Sequence, residues 1–211
     1  MESLPSVPSV PSVPSVPYTP ENAPFNTPYQ KCTFGLFVGL GALVLASYVF
    51  LLVKARQPSS ETTAIKTAKT TQSAARYWFG MEPQIQRVYY VFMVLAAVGL
   101  CTVTAWYCML RKLPQRGLLR YKWMMPLLFG VILAASACWS FAVSIVPNVK
   151  WLVALTLVVV ALGSILLLAG VVEAEQRKWW AVLGAIAFAT TTVLNDGVGW
   201  LANYLVHDAS A

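Results

Sequence analysis

Five long apolar runs set the terms for this chain: Thr33 to Val53, Val88 to Leu110, Trp123 to Val146, Trp151 to Val172 and Trp179 to Val206. The first four hold no charged side chain, and the fifth holds one, Asp196. At ~1.5 Å rise per residue, about 20 helical residues match the ~30 Å hydrocarbon core of a bilayer. Inside that core each backbone N–H and C=O needs a partner within its own segment, so unbroken apolar runs read as helices and not as the short alternating strands of a barrel. The prediction is an all-α integral membrane helical bundle with about five transmembrane helices near 33–53, 88–110, 123–146, 151–172 and 179–206. Composition agrees, with 58% apolar and 11% charged residues against about 25% charged in an ordinary soluble domain.

The run ends carry the aromatic signature of a lipid–water boundary. Trp123, Trp151, Trp179 and Trp180 stand at starts, and Trp106 and Trp200 near ends, where an amphipathic ring suits the headgroup level. Residues 1–31 form a different regime, a Pro/Ser/Val-repeat tail with prolines at 5, 8, 11, 14 and 17. A proline every third residue lines one edge of a polyproline II rod. The tail is expected to be disordered, with a reader of Pro-rich motifs as its one candidate partner. Residues 32–211 form the transmembrane domain. Its long polar loop, 54–87, contrasts with short connections elsewhere, which predict that sequence neighbours pack as antiparallel hairpins.

Orientation follows the distribution of Lys and Arg. The side with the tail, the second loop and the fourth loop holds Lys31, Arg111, Lys112, Arg116, Arg120, Lys122, Arg177 and Lys178, and the other side holds seven. The second loop concentrates five of them in residues 111–122, which tips the N-terminus toward the cytoplasm. The net charge of +7 sits beside helix ends without a nucleic-acid-binding motif, so membrane lipids are the expected partner and nucleic acid is not. No basic stretch followed by an apolar one occurs in the first 31 residues, so no cleaved signal peptide is expected.

Catalytic constellations are missing. The single histidine is His207, which removes His-based triads and HExxH zinc sites, and no glycine-rich phosphate loop or GxSxG elbow occurs. No catalytic residue, metal site or cofactor is expected. Glu173 and Glu175 resemble a carboxylate pair, but Arg177 follows Glu173 at the spacing of a helix-surface ion pair. Cys32, Cys101, Cys108 and Cys138 are expected to be buried packing residues.

Asp196, within Asn195-Asp196-Gly197, is the informative exception, because a charge inside a membrane helix marks a functional site by default. Two readings compete. Asn-Asp-Gly is a turn signal, so the helix would exit there, with 198–206 at the interface. Alternatively Asp196 and Asn195 face the bundle as an intramembrane polar site. Ser136, Ser140 and Ser144 form a hydroxyl stripe at i, i+4, i+8 that could line a polar path, or bond their own i−4 carbonyls. Small residues recur at four-residue spacing in Gly35/Gly39, Ala42/Ala46, Ala97/Cys101/Ala105 and Ala181/Ala185/Ala189, a pattern of close helix packing and of helix-mediated homo- or hetero-oligomers.

Two phrases, Tyr48-Val49-Phe50-Leu51-Leu52-Val53-Lys54 and Arg120-Tyr121-Lys122-Trp123-Met124-Met125-Pro126-Leu127-Leu128, resemble microbial rhodopsins. The second lacks that family's carboxylate and spaces Trp and Pro differently. No lysine stands inside any apolar run to hold retinal, so the family is not adopted. The leading expectation is a multi-pass, non-enzymatic structural, assembly or interaction protein. The alternative is a small transporter, channel subunit or lipophile-binding protein using Asp196, Asn195 and the serine stripe.

Overall fold

A computed structural model of the chain describes residues 25–56, 83–145 and 150–200. The Pro/Ser/Val repeat, most of the 54–87 loop and the segment 201–211 lie outside the described residues. Five long helices account for most of the rest: α1 (Pro28–Arg56), α2 (Pro83–Met109), α3 (Met124–Ile145), α4 (Lys150–Glu173) and α5 (Trp179–Thr192). α5 continues directly into a π-helical segment, Val193–Trp200, and one 3₁₀ turn, Leu118–Arg120, interrupts the loop before α3. No strand occurs among the described residues.

Four helices are long and apolar enough to cross a membrane, over Pro28–Phe50, Arg87–Met109, Trp151–Glu173 and Trp179–Gly199, while the corresponding stretch of α3, Met124–Trp139, is shorter. The protein is a helical membrane protein on that length and composition. Outward-facing Val, Leu and Ile side chains cover these helices, and Trp123, Trp151 and Trp179 project from their ends. Trp106 does not join them: it is 1% exposed, and its indole N–H donates to the Gln176 carbonyl at 3.1 Å.

α1 starts at Pro28, inside the segment read from sequence as tail. The cause is a capping box. The Thr27 hydroxyl accepts the Gln30 N–H at 3.2 Å and the Gln30 side-chain oxygen accepts the Thr27 N–H at 3.1 Å, with Pro28 at the first helical position, where its missing N–H costs nothing. The same Gln30 side chain donates to the carbonyls of Tyr107 at 2.9 Å and Leu110 at 2.8 Å. It thereby satisfies acceptors that the end of α2 leaves open.

The helices run alternately up and down. α3 and α4, and α4 and α5, pack as antiparallel neighbours, as short loops require. α2 and α3 do not form a close pair; α2 packs on α5 and α3 on α1. The loop between α2 and α3 explains this, because its 14 residues, 110–123, reach up to about 48 Å when extended, far beyond the ~8–10 Å between adjacent helix axes. The α1–α3 contact is parallel and aromatic along its length: Tyr29–Trp123 at 4.9 Å, Phe37–Phe129 at 6.3 Å, Tyr48–Trp139 at 6.0 Å and Phe50–Phe141 at 6.1 Å between ring centres. At the α2–α5 contact the backbones come close: a Cβ on Gly99 would stand 2.9 Å from the Phe188 backbone nitrogen, and one on Gly184 2.8 Å from the Thr102 side chain.

Only one of the small-residue patterns packs inside the bundle. Ala181, Ala185 and Ala189 are buried, whereas Ala97, Cys101 and Ala105 on α2 and Gly35, Gly39, Ala42 and Ala46 on α1 face outward. Cys101 and Cys138 are likewise exposed and Cys32 and Cys108 partly buried, all four as free thiols, which corrects the expectation of buried packing residues. The helix surface in lipid is apolar on every side, so hydrophobicity alone does not tell an inward stripe from an outward one.

Candidate functional site

The bundle has two unlike ends. The main apolar core lies toward the end that carries the start of α1. There Trp106 and Tyr107 of α2, Met125, Phe129 and Ile132 of α3, Leu167 and Val171 of α4, and Ala181 and Ala185 of α5 pack together. The loops above this core form a fixed polar layer. Glu173 accepts the Leu118 N–H at 3.0 Å, Arg116 pairs with Glu175 at 3.0 Å, and Leu119 is buried against Gly170. Gly117 has φ +68°, and a Cβ there would meet Glu173 at 2.5 Å, so this turn requires glycine. The two glutamates thus act as separate loop anchors. Arg177 donates to the Val172 carbonyl at 2.7 Å, taking the place of the helix-surface pair with Glu173 expected from spacing.

Toward the opposite end, polar side chains enter the interior: Thr156 and Ser164 of α4 and Thr191, Thr192 and Asn195 of α5 and its extension are all buried. The hydroxyls are satisfied locally. Thr191 donates to the Ala187 carbonyl at 2.6 Å, Thr192 to Phe188 at 2.6 Å and Ser164 to Ala161 at 2.7 Å. Two successive threonines bonding back into the ladder loosen it, as such side chains do in helices. The Val193 N–H is shared between the carbonyls of Ala189 and Thr190, and the widened turn begins there. Asn195-Asp196-Gly197, all poor helix formers, continue the π-helix to Trp200.

The Asn-Asp-Gly signal therefore makes no exit turn. It is absorbed as a widened helical turn, a form that recurs at functional sites. Gly197 lies against Ala161 of α4, where an added Cβ would approach the Ala161 Cβ to 3.2 Å, and Gly199 lies against the phenol hydroxyl end of Tyr89 on α2. These two glycines let the segment wedge between α4 and α2. Asp196 lies three residues inside the apolar span that ends at Gly199. Its carboxylate accepts the Asn195 amide N–H at 2.9 Å. Asn195 is 6% exposed, and its amide oxygen is buried with no hydrogen-bond partner among the described residues.

Of the residues singled out from sequence, Asn195 and Asp196 come together. Ser136 lies on α3, partly buried, and donates to its own i−4 carbonyl, Ile132, at 2.9 Å. The side chains of Ser140 and Ser144 lie outside the described residues. No cluster of three or more potential metal ligands occurs among the described residues.

Sequence reasoning passed over Gln30 and the Gly99/Gly184 crossing. Thr27-Pro28-Tyr29-Gln30 carries the capping-box spacing in plain view. The crossing has no local signature, because Gly99 and Gly184 belong to different helices. Compared with models of known protein families, with curated proteins and with solved structures, the chain matches none.

Proposed function

We propose that the chain crosses its membrane five times, with its N-terminus cytoplasmic, and works there as a non-enzymatic assembly or interaction protein. The observation that carries this reading is the outward stripe on α1. Gly35, Gly39, Ala42 and Ala46 are exposed, and a Cβ built on Gly35 or Gly39 meets nothing within 4 Å. Small residues at four-residue spacing let a second helix approach closely, and in lipid that close contact, rather than hydrophobicity, drives association. The stripe is the proposed surface for a homo- or hetero-oligomer. The eight basic residues of the layered end favour anionic headgroups, and the Pro/Ser/Val tail offers a ligand for a Pro-rich-motif reader on the same side. Subunit counting in native lipid discs tests the assembly: Gly35→Leu with Gly39→Leu should shift the chain toward monomer while leaving its thermal unfolding unchanged. Unchanged stoichiometry in that variant and in Ala42→Leu contradicts it.

A second reading, a small transporter or channel subunit, is favoured by the buried Asn195 oxygen beside Asp196, which has no hydrogen-bond partner among the described residues. Flux into proteoliposomes that is lost in Asp196→Asn supports it.

A further inference from the structure

We propose that the junction where the start of α1 meets the end of α2 and the start of α3 binds a phospholipid whose headgroup carries more than one phosphate, held by Lys31, Arg111, Lys112 and Lys122. This deepens the reading of this end as the one that meets anionic headgroups and rests on it; it does not rest on the assembly.

Two contacts build the junction and leave cations around it. The Gln30 amide donates to the Leu110 carbonyl at 2.8 Å, so the residues that follow each, Lys31 on α1 and Arg111 and Lys112 after α2, flank one contact. The Tyr29 ring packs edge-on to Trp123 at 4.9 Å, and Lys122 precedes that tryptophan. All four cations are exposed. The loop that carries three of them is held in place, with Leu119 buried against Gly170 and the Leu118 N–H bound by Glu173.

These charges lack partners. Glu173, Glu175 and Asp196 are the only carboxylates among the described residues. Asp196 lies toward the opposite end of the bundle, Glu173 accepts the Leu118 N–H, and Glu175 pairs with Arg116. Four like charges around one junction repel one another, and a headgroup with a single phosphodiester offsets one of them. A phosphomonoester adds roughly −1.5 to −2 to that single charge, which matches the patch more closely, and basic sites between membrane helices recognise such headgroups.

Depth fits a lipid better than a soluble anion. Lys31 lies three residues into the apolar span that starts at Pro28, about 4.5 Å by helix rise, where its ammonium reaches back toward the headgroup layer. Trp123, 63% exposed, marks that layer at the start of α3, as interfacial tryptophans do. Immediately deeper, Phe34 of α1 and Leu127 of α3 face outward and offer apolar surface to the acyl chains of the same lipid.

The test is native mass spectrometry of the full chain in detergent micelles, titrated with phosphatidylinositol 4-phosphate and with phosphatidylinositol, which share chains and sugar and differ by one phosphate. One phosphatidylinositol 4-phosphate per chain should be retained, roughly tenfold tighter than phosphatidylinositol. Lys31→Gln with Arg111→Gln should abolish that preference, whereas Arg116→Gln with Lys178→Gln, the same loss of charge elsewhere at this end, should keep it. Equal weakening in both pairs would leave the general attraction to anionic headgroups standing and overturn the junction site. Equal affinity of the wild-type chain for the two lipids also overturns it, and needs no variant to fold; retention of neither lipid sinks the site and the general attraction together. Displacement of the lipid by equimolar glycerophosphoinositol 4-phosphate, which has no acyl chains, would make the ligand a soluble phosphate and overturn the lipid.

Discussion

The amide of Gln30 on α1 donates to the Leu110 carbonyl at 2.8 Å just past the end of α2, while its oxygen accepts the Thr27 N–H at 3.1 Å. One side chain thus closes the start of one helix and the end of another, and holds both at the same end of the bundle. Gln30→Ala removes these bonds together and strands buried carbonyls, each costing roughly 1–3 kcal/mol. A loss of about 2–4 kcal/mol in reversible unfolding in detergent or lipid discs is expected. Thr27→Ala, which breaks only the capping half, should cost about 1 kcal/mol.

The α2–α5 crossing depends on the absence of side chains at Gly99 and Gly184. Gly184→Val drives a side chain into Thr102 and the backbone of α2 and should destabilise by about 1–3 kcal/mol. Gly41→Val on α1 meets open space and should change unfolding little. Equal losses in both variants would contradict the packing described.

The layered end separates strong from weak polar contacts. Arg116–Glu175 is solvent-exposed, with side chains 82% and 40% accessible, and Arg116→Ala should cost less than about 1 kcal/mol, falling further in high salt. Gly117→Ala meets both a left-handed backbone and Glu173, so its cost should exceed that of Arg116→Ala by about 1 kcal/mol or more. Chemical unfolding of the two variants side by side checks the order.

Asn195 is held in the interior at a cost to stability. Asn195→Leu removes the unpaired amide oxygen but also the N–H that the Asp196 carboxylate accepts, so it should cost about 1–3 kcal/mol, whereas Asn195→Leu with Asp196→Leu, which replaces both partners by apolar groups, should leave stability unchanged or raise it. A large loss in the double variant, read by reversible unfolding, would mean that the pair has a further partner essential to the fold.

Much of this architecture is legible in the residues. Charge-poor runs identify the helices, because lipid forbids any other way of satisfying their backbones, and Asp196 stands out for the same reason. The neighbours of each helix are less legible. Lipid-facing and inward-facing positions are equally apolar, so Ala97/Cys101/Ala105 and Ala181/Ala185/Ala189 look alike in sequence, yet only the second stripe is buried. The π-helix was hidden as well. Asn195-Asp196-Gly197 favours a turn locally, and only the fit of Gly197 on Ala161 and Gly199 on Tyr89 keeps the chain helical through it. Gln30 was legible as a cap for α1 but not as one for α2, since its second partner lies 80 residues away.

The arrangement of the helices across the membrane is tested most directly by single cysteines in a cysteine-free chain on sealed vesicles. Gln115→Cys and Gln176→Cys sit in the layered end, and Arg87→Cys and Lys150→Cys at the opposite one. With five crossings, an impermeant thiol reagent should label the first pair from one side only and the second pair from the other side only. Labelling of Gln115→Cys and Gln176→Cys from opposite sides, or of Gln115→Cys and Arg87→Cys from the same side, would contradict the account.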